Sequence, residues 1–336
     1  MTTKTSARMG LASAVMTGIL ALLAACGSGT ADKPQAAMDP NAWQEDQPKL
    51  VMAMSLPPDL AAMSDGIENL RKGLEDRLGI PVDLRKVSGY DGMIQAMAAD
   101  QIDLGTFGAG AIASLYDLIG DKVLPIASFR DYSGEMGYYS VLLVRSDSPY
   151  HSLADLKGKR IGYVDFNSTS GYMFPRYALN QQGIDPDTYF GPSGTTGGHL
   201  QSIIALSSGQ YDAVFTLAST DDPAKVYTTG IMNAIAAQGI IDPEDYRFIW
   251  FAGPIPESAF VMRGDKNPGL TDAVRGVLTA LPYEAPGLMT AYGQARGAGM
   301  GSVNIDFFQD IIRIRAAEIS GDAIAPATEQ GEEAQQ

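Results

Sequence analysis

The sequence predicts an α/β protein of two lobes with a hinged cleft between them, and three observations carry that prediction. Short apolar runs alternate with segments of helical period. The alternation occurs twice along the chain. A late apolar run then returns the chain toward its starting unit. Alternating β and α segments give sheets covered by helices, and 336 residues suffice for two such lobes.

Taken in order, residues 50–54 form a short apolar strand. Ile67, Leu70, Leu74 and Leu78 recur at helical spacing, and Gly79 ends that helix. Residues 82–87 alternate as a half-buried strand, and Met93, Ile94 and Met97 mark a second helix. A strand over 102–107 runs into Gly108, and a third helix covers 112–118. This βαβαβα order predicts a mainly parallel sheet. Residues 138–144 are a continuous apolar strand into a new unit. That unit holds a strand over 160–164, a helix from about Ser168, a helix over 200–207 and a strand over 211–216. After a strand at 247–251, residues 258–262 carry the chain back, and helices follow over 270–281 and 307–317. The first lobe is therefore expected at 49–137 and 256–320, and the second at 138–255. Two lobes joined by crossing strands make a clamp, with a ligand cleft between them.

The first 26 residues are an address. Lys4 and Arg8 give a positive start, and residues 11–25 are uncharged and mostly apolar. As a helix that stretch spans about 22 Å, short of the roughly 30 Å of a bilayer core, so it reads as an export signal. It ends in Leu23, Ala24, Ala25 and Cys26, which resembles the lipobox of bacterial lipoproteins, with Cys26 as the lipidated residue. The alternative is an ordinary export signal with an incidental cysteine. Residues 27–48 are small, polar and proline-containing, with Trp43 the only large aromatic, and read as a flexible tether. Residues 325–336 are polar and acidic and read as a disordered tail.

Composition excludes several function classes. Lys and Arg number 24 against 39 Asp and Glu, a net charge of −15, and loss of the leader removes two cations and no acid. Such a chain repels polyanions, so no nucleic-acid partner is expected. One cysteine and two histidines, His151 and His199, leave no disulfide framework, no cysteine-based zinc site and no histidine-rich metal centre. No cofactor is expected. Phosphate-loop, nucleophile-elbow, zincin and dinucleotide-binding motifs are absent, and a serine triad would have only those two histidines to use.

The strongest chemical signal is the run Asp165, Phe166, Asn167, Ser168, Thr169, Ser170, Gly171 and Tyr172, where a strand passes through hydroxyl residues into a helix. A helix start has unpaired N–H groups and a positive dipole end, and three added hydroxyls make an oxyanion cradle without formal charge. Plain N-capping is the alternative, although one hydroxyl suffices for a cap. Aromatic residues cluster around the same theme: Tyr90, Phe107, Tyr138, Tyr139 and Tyr172. Each can be simple core, but Tyr90 at a helix start and Phe107 at a strand end stand where open α/β sheets bind ligands. His199 follows a glycine-rich run at a helix start and is a candidate donor to an oxyanion. Asp221 and Asp222 either cap a helix or face a cationic ligand group, and Glu257 lies beside the proline-containing crossover.

Over residues 49–317 the chain resembles the periplasmic substrate-binding proteins of phosphonate and phosphite ABC transporters. The resemblance rests on residues 88–90, 103–108, 137–140, 152–159, 165–175, 198–199, 209–212 and 254–256. The run from Asn167 to Tyr172 is its specific part. The resemblance implies a type II periplasmic-binding-protein fold, with Ser168, Thr169, Ser170, Tyr90 and His199 holding phosphonate oxygens. Three departures concern the organic end of the ligand. Thr106, Phe107, Gly108 and Ala109 stand where the family often has Trp-Phe-Gly-Pro. Ser258 stands where it often has an acid, and Asp221 matches a family acid only with an insertion before it.

The expected function is that of a monomeric, lipid-anchored periplasmic receptor, touching the membrane through its lipid alone. It captures a small phosphonate and delivers it to an ABC permease and ATPase. The expected ligand-binding residues are Tyr90, Phe107, Tyr139, Ser168, Thr169, Ser170, His199, Asp221 and Glu257. The best single ligand is 2-aminoethylphosphonate, because Asp221, Asp222 and Glu257 offer carboxylates to an ammonium. The alternatives are a phosphite or methylphosphonate receptor, or an enzyme on the same two-lobed fold.

The leader generates the first test. Cys26→Ser is expected to leave the protein unprocessed or to release it from the membrane fraction. Unchanged membrane fractionation would count against a lipid at Cys26.

Overall fold

The computed structural model describes residues 41–55, 61–131, 134–220, 222, 235–236, 239–286 and 299–321. The leader with Cys26, residues 27–40 of the expected tether, Asp221 and the tail lie outside the described residues. Two sheets organise what is described, one for each of the expected α/β lobes.

The first sheet starts with β1 (Leu50–Ser55), β2 (Val82–Val87) and β3 (Leu104–Phe107), where β1 pairs in parallel with both others. β4 (Val123–Phe129), β10 (Ala259–Arg263) and β11 (Met300–Ser302) complete it in the order β11-β4-β10-β3-β1-β2. The ladders that join these last three are all antiparallel, with β10 and β11 running against the rest, so the sheet is mixed rather than mainly parallel. The reason is topological: β10 arrives from the other lobe and runs against β3. β4 is hidden in the sequence by Pro125, which cannot donate to a ladder and argues against a strand. In the fold Pro125 falls where the β4–β10 register shifts, at a bulge that tolerates the missing donor.

The second sheet contains β5 (Gly137–Arg145), β6 (Ile161–Tyr163), β7 (Ser193–Thr195), β8 (Ala213–Ala218) and β9 (Tyr246–Pro256), ordered β7-β6-β8-β5-β9. β5 lies between β8 and β9, antiparallel to both, and its residues Val141, Leu142, Leu143 and Val144 have no exposure. Burial on both faces explains their unbroken apolar run.

Helices cover the first sheet through the predicted stripe. In α2 (Ala61–Leu78), Ile67, Leu70, Leu74 and Leu78 are all buried, and Gly79 ends the helix with φ +70°. α3 (Gly89–Ala98) and α4 (Ala109–Ile119) follow β2 and β3 directly. The end of the expected tether belongs to the folded body. Trp43, in the short α1 (Trp43–Asp46), is 5% exposed and packs in the core beneath α2. It lies on Gly269 of a later helix, α8 (Pro268–Glu284), where a Cβ would stand 2.9 Å from the Trp43 ring. A lone aromatic in a polar stretch is thus an anchor here, not tether composition.

The chain crosses between the sheets twice, before β5 and after β9. There Gly137 pairs with Pro256 and Tyr138 with Ile255, and the Glu257 N–H donates to the Met136 carbonyl at 3.0 Å. The two crossings are therefore one hydrogen-bonded ribbon. The last helix, α9 (Gln309–Ser320), joins α4 through Arg315 and Asp117 at 2.7 Å.

Removing the anchor tests this packing. Trp43→Ala is expected to lower stability by about 3 kcal/mol or more, the usual cost of emptying a buried tryptophan site. The check is the urea unfolding midpoint, and an unchanged midpoint would show that Trp43 contributes no packing energy.

Candidate functional site

The hydroxyl run forms one π turn, Thr169–Met173, that leads into α5 (Phe174–Gln181). The expected helix from Ser168 thus begins with a wider turn: the Met173 N–H reaches back to the Ser168 carbonyl at 3.1 Å. Pro175 follows in the first turn of α5, where its missing N–H costs little. Gly171 is required, because a Cβ there would stand 2.3 Å from Val164 Cγ2. Ser168, Thr169 and Ser170 are 1%, 3% and 1% exposed, so this is not a solvent-facing cap.

Each hydroxyl residue has its own partner. Ser168 Oγ accepts the Gly171 N–H at 3.1 Å, so for this residue the capping role is realised. Thr169 Oγ1 accepts the Gly110 N–H of α4 at 2.7 Å, a bond from one lobe to the other. The Ser170 carbonyl accepts from Ser140 Oγ of β5 at 2.7 Å. Gly110 permits the approach, since a Cβ on it would lie 2.9 Å from the Asn167 carbonyl and 3.2 Å from Thr169 N and Oγ1. Beside it, a Cβ on Gly108 would lie 3.6 Å from Thr169 Oγ1 and 3.9 Å from Ser258 Oγ. The start of α4 therefore faces the cradle, with the Ser258 hydroxyl at its edge.

Asn167 ties the same junction. Its Nδ2 donates to Asp91 Oδ1 of α3 at 2.7 Å, and its Oδ1 accepts from Ser114 Oγ of α4 at 2.7 Å. Further out, Arg176 of α5 pairs bidentately at 2.8 Å with Asp187 of the short α6 (Pro186–Tyr189) and meets Glu318 of α9 at 3.5 Å.

Two tyrosines face the cradle. Burial pushes the Tyr90 phenol up, and the charge of Asp165 adds to this, while the Ser168 hydroxyl works against it. Tyr138, 6% exposed, is likewise pushed up, first by burial and then by the charge of Glu257. The hydroxyls of Thr169 and Ser170 oppose that shift. Both phenols are thus held protonated as donors at neutral pH. Glu257 is 5% exposed, and its Oε1 accepts the Ser258 N–H at 2.8 Å.

The remaining expected residues separate. Phe107 is 2% exposed and belongs to the apolar cluster with Tyr138, Met173, Ile255 and Ala259. Tyr139 is half-buried and packs with Leu200 and Ile203, on the opposite face of β5 from Tyr138. His199 opens α7 (His199–Ser207), and its Nδ1 lies 3.0 Å from Thr216 Oγ1 of β8. Tyr139 and His199 therefore flank the strand ends from the α7 side, and the cradle from the α5 side. Asp222 is half-buried with its N–H on Thr220 Oγ1 at 3.1 Å.

The sequence did not single out Gly110, Ser114 or Asp91, and it marked Ser258 only as a departure from the family pattern. One signal was available: Gly108 and Gly110 bracket the start of a helix directly after a strand, a pattern of close backbone approach.

A family model for the phosphonate periplasmic substrate-binding protein of ABC transporters matches residues 57–300. The phosphate-import protein PhnD of Mycolicibacterium smegmatis is 28% identical over 266 residues, covering 76% of this chain and 77% of that protein. The phosphonates-binding periplasmic protein of Escherichia coli is 27% identical over 208 residues, 60% of this chain and 56% of that one. In three dimensions, a binding protein component of an ABC phosphonate transporter from Pseudomonas aeruginosa matches with a TM-score of 0.68 and 21% identity, over 84% of this chain and 91% of its own. PhnD1 of Prochlorococcus marinus, in complex with methylphosphonate, matches with a TM-score of 0.66 and 18% identity, over 82% and 99%. At these identities the structural matches speak for the fold.

The junction generates a test. Asn167→Ala removes two bonds between lobes, each worth about 0.5–1.5 kcal/mol. Without added ligand the variant is expected to have a larger radius of gyration by small-angle scattering. An unchanged radius would mean that Asn167 does not hold the lobes together.

Proposed function

The chain belongs to the phosphonate periplasmic substrate-binding proteins of ABC transporters, and on that premise we propose that it captures a phosphorus oxyanion between its lobes and hands it to a permease and its ATPase. The observation that carries this is the run of three buried hydroxyl residues, one of which, Thr169, meets the start of α4 through its Oγ1. A protein of net charge −15 gains no long-range attraction for an anion. Short-range donors must hold it, and neutral hydroxyls, phenols and helix N–H groups do so without a cation. The names of relatives point to one chemical class: phosphate, phosphonates, phosphite and methylphosphonate share a tetrahedral phosphorus oxyanion.

The cradle and Tyr138 come with the second lobe and the crossing ribbon, and Gly108, Gly110 and Tyr90 with the first. An anion touching both sets stabilises the closed clamp by its differential affinity for that state. The protein acts as a receptor and not as an enzyme, and a lipid on Cys26 holds it at the periplasmic side of its membrane.

Within the class, 2-aminoethylphosphonate is the ligand favoured, because the buried Glu257 carboxylate beside Tyr138 can receive an ammonium. The second reading is a phosphite or methylphosphonate receptor, favoured by the bond that Glu257 already accepts from the Ser258 N–H.

Calorimetry against 2-aminoethylphosphonate, ethylphosphonate, methylphosphonate, phosphite and phosphate tests both readings. Thr169→Ala is expected to weaken every bound ligand by about tenfold or more, since a hydrogen bond to a charged group is worth roughly 1.5–3 kcal/mol. Glu257→Gln is expected to weaken 2-aminoethylphosphonate by about tenfold or more while sparing or improving ethylphosphonate. Equal losses for the two would favour the simpler receptor.

A further inference from the structure

Among the described residues, three buried side-chain atoms lack a hydrogen-bond partner: Thr106 Oγ1, Ser219 Oγ and Arg247 Nε. A buried polar atom left unpaired is costly, and native proteins keep few of them. Their placements differ. Arg247 pairs with Val144 near the end of the second sheet remote from the crossing ribbon. Thr106 shares its face of β3 with Leu104, whose side chain sits in the core beneath α2. Ser219 lies one residue past the end of β8, beyond the Tyr139–Ala218 pair.

The strand register gives its position. The last pairs between β5 and β8 are Ser140 with Leu217 and Tyr139 with Ala218, and continuing that register one step past the end of β8 brings Ser219 to the level of Tyr138. Opposed residues of an antiparallel pair share a face. That face carries the π turn, because Ser140 Oγ donates to the Ser170 carbonyl at 2.7 Å. The Tyr138 hydroxyl on the same face meets those of Thr169 and Ser170. Thr220, the next hydroxyl residue, already accepts the Asp222 N–H. Ser219 thus brings a buried, uncommitted hydroxyl into the row that holds Tyr138 and the cradle.

We propose that Ser219 is a further hydroxyl of the anion site, its Oγ–H donating to an oxygen of the bound phosphorus group. This rests on the reading of the site as a receptor for a phosphorus oxyanion. It makes Ser219 a reader of the head group, common to every ligand of the class, and not of an organic substituent.

The test pairs affinity with stability. Wild type, Ser219→Ala and Ser219→Cys are titrated with 2-aminoethylphosphonate, methylphosphonate, phosphite and phosphate, and their melting temperatures are measured without added ligand. Ser219→Ala is expected to weaken each ligand that the wild type binds by about tenfold and to a similar extent. Its melting temperature should hold or rise, because an unpaired buried hydroxyl has been removed. Ser219→Cys, close in shape and a weaker donor, should fall between and carries the comparison if the alanine variant does not fold. Unchanged affinity overturns the proposal, and so does a melting temperature that falls while affinity holds, which would give the hydroxyl a structural partner. A loss confined to 2-aminoethylphosphonate overturns the head-group assignment. If the wild type binds none of the four, the receptor reading itself fails and Ser219 with it.

Discussion

The hydrogen bond from the Gly110 N–H to Thr169 Oγ1 brings two helix beginnings, one from each lobe, within 2.7 Å of contact. Both ends carry partial positive charge, and two such ends repel unless something electron-rich lies between them. A hydroxyl oxygen meets that need weakly, and an oxyanion meets it well. Much of the local sequence follows from this constraint. Gly108 and Gly110 leave room for the approach, Gly171 lets the turn close on Val164, and three small hydroxyl residues supply oxygen without bulk.

The crossing ribbon adds the second requirement, that site and hinge be one object. Tyr138 and Glu257 lie where β5 begins and β9 has just ended, beside the Gly137–Pro256 pair. The Tyr138 phenol feels the charge of Glu257 on one hand and the hydroxyls of Thr169 and Ser170 on the other. The segment that joins the two sheets and the hydroxyl turn therefore meet at one place. Asn167 and the Arg176–Glu318 pair brace the lobes around that centre from outside the cradle.

Among the described residues this group of contacts holds no cation, which fits the acidity of the whole chain. A lysine or arginine at the cradle would bind anions in general, whereas directed hydroxyl and N–H donors select for the shape of the oxyanion.

What the sequence by itself determined was local: the two α/β units, the buried stripe of α2, the continuous run of β5 and the hydroxyl turn after β6. Each is written in a periodicity or in a short string of neighbours. Tertiary structure decided the rest. β4 emerged despite Pro125 because a bulge against β10 absorbs the missing donor, and Trp43 became core because α8 offers Gly269 as its seat. Tyr138 and Tyr139 are adjacent in sequence and equally suited to a ligand, yet strand alternation sends them to opposite faces. The partners Gly110 and Thr169 are 59 residues apart and Arg176 and Glu318 lie in different helices. No local pattern encodes such pairs, because they exist only once the crossing strands fold one lobe against the other.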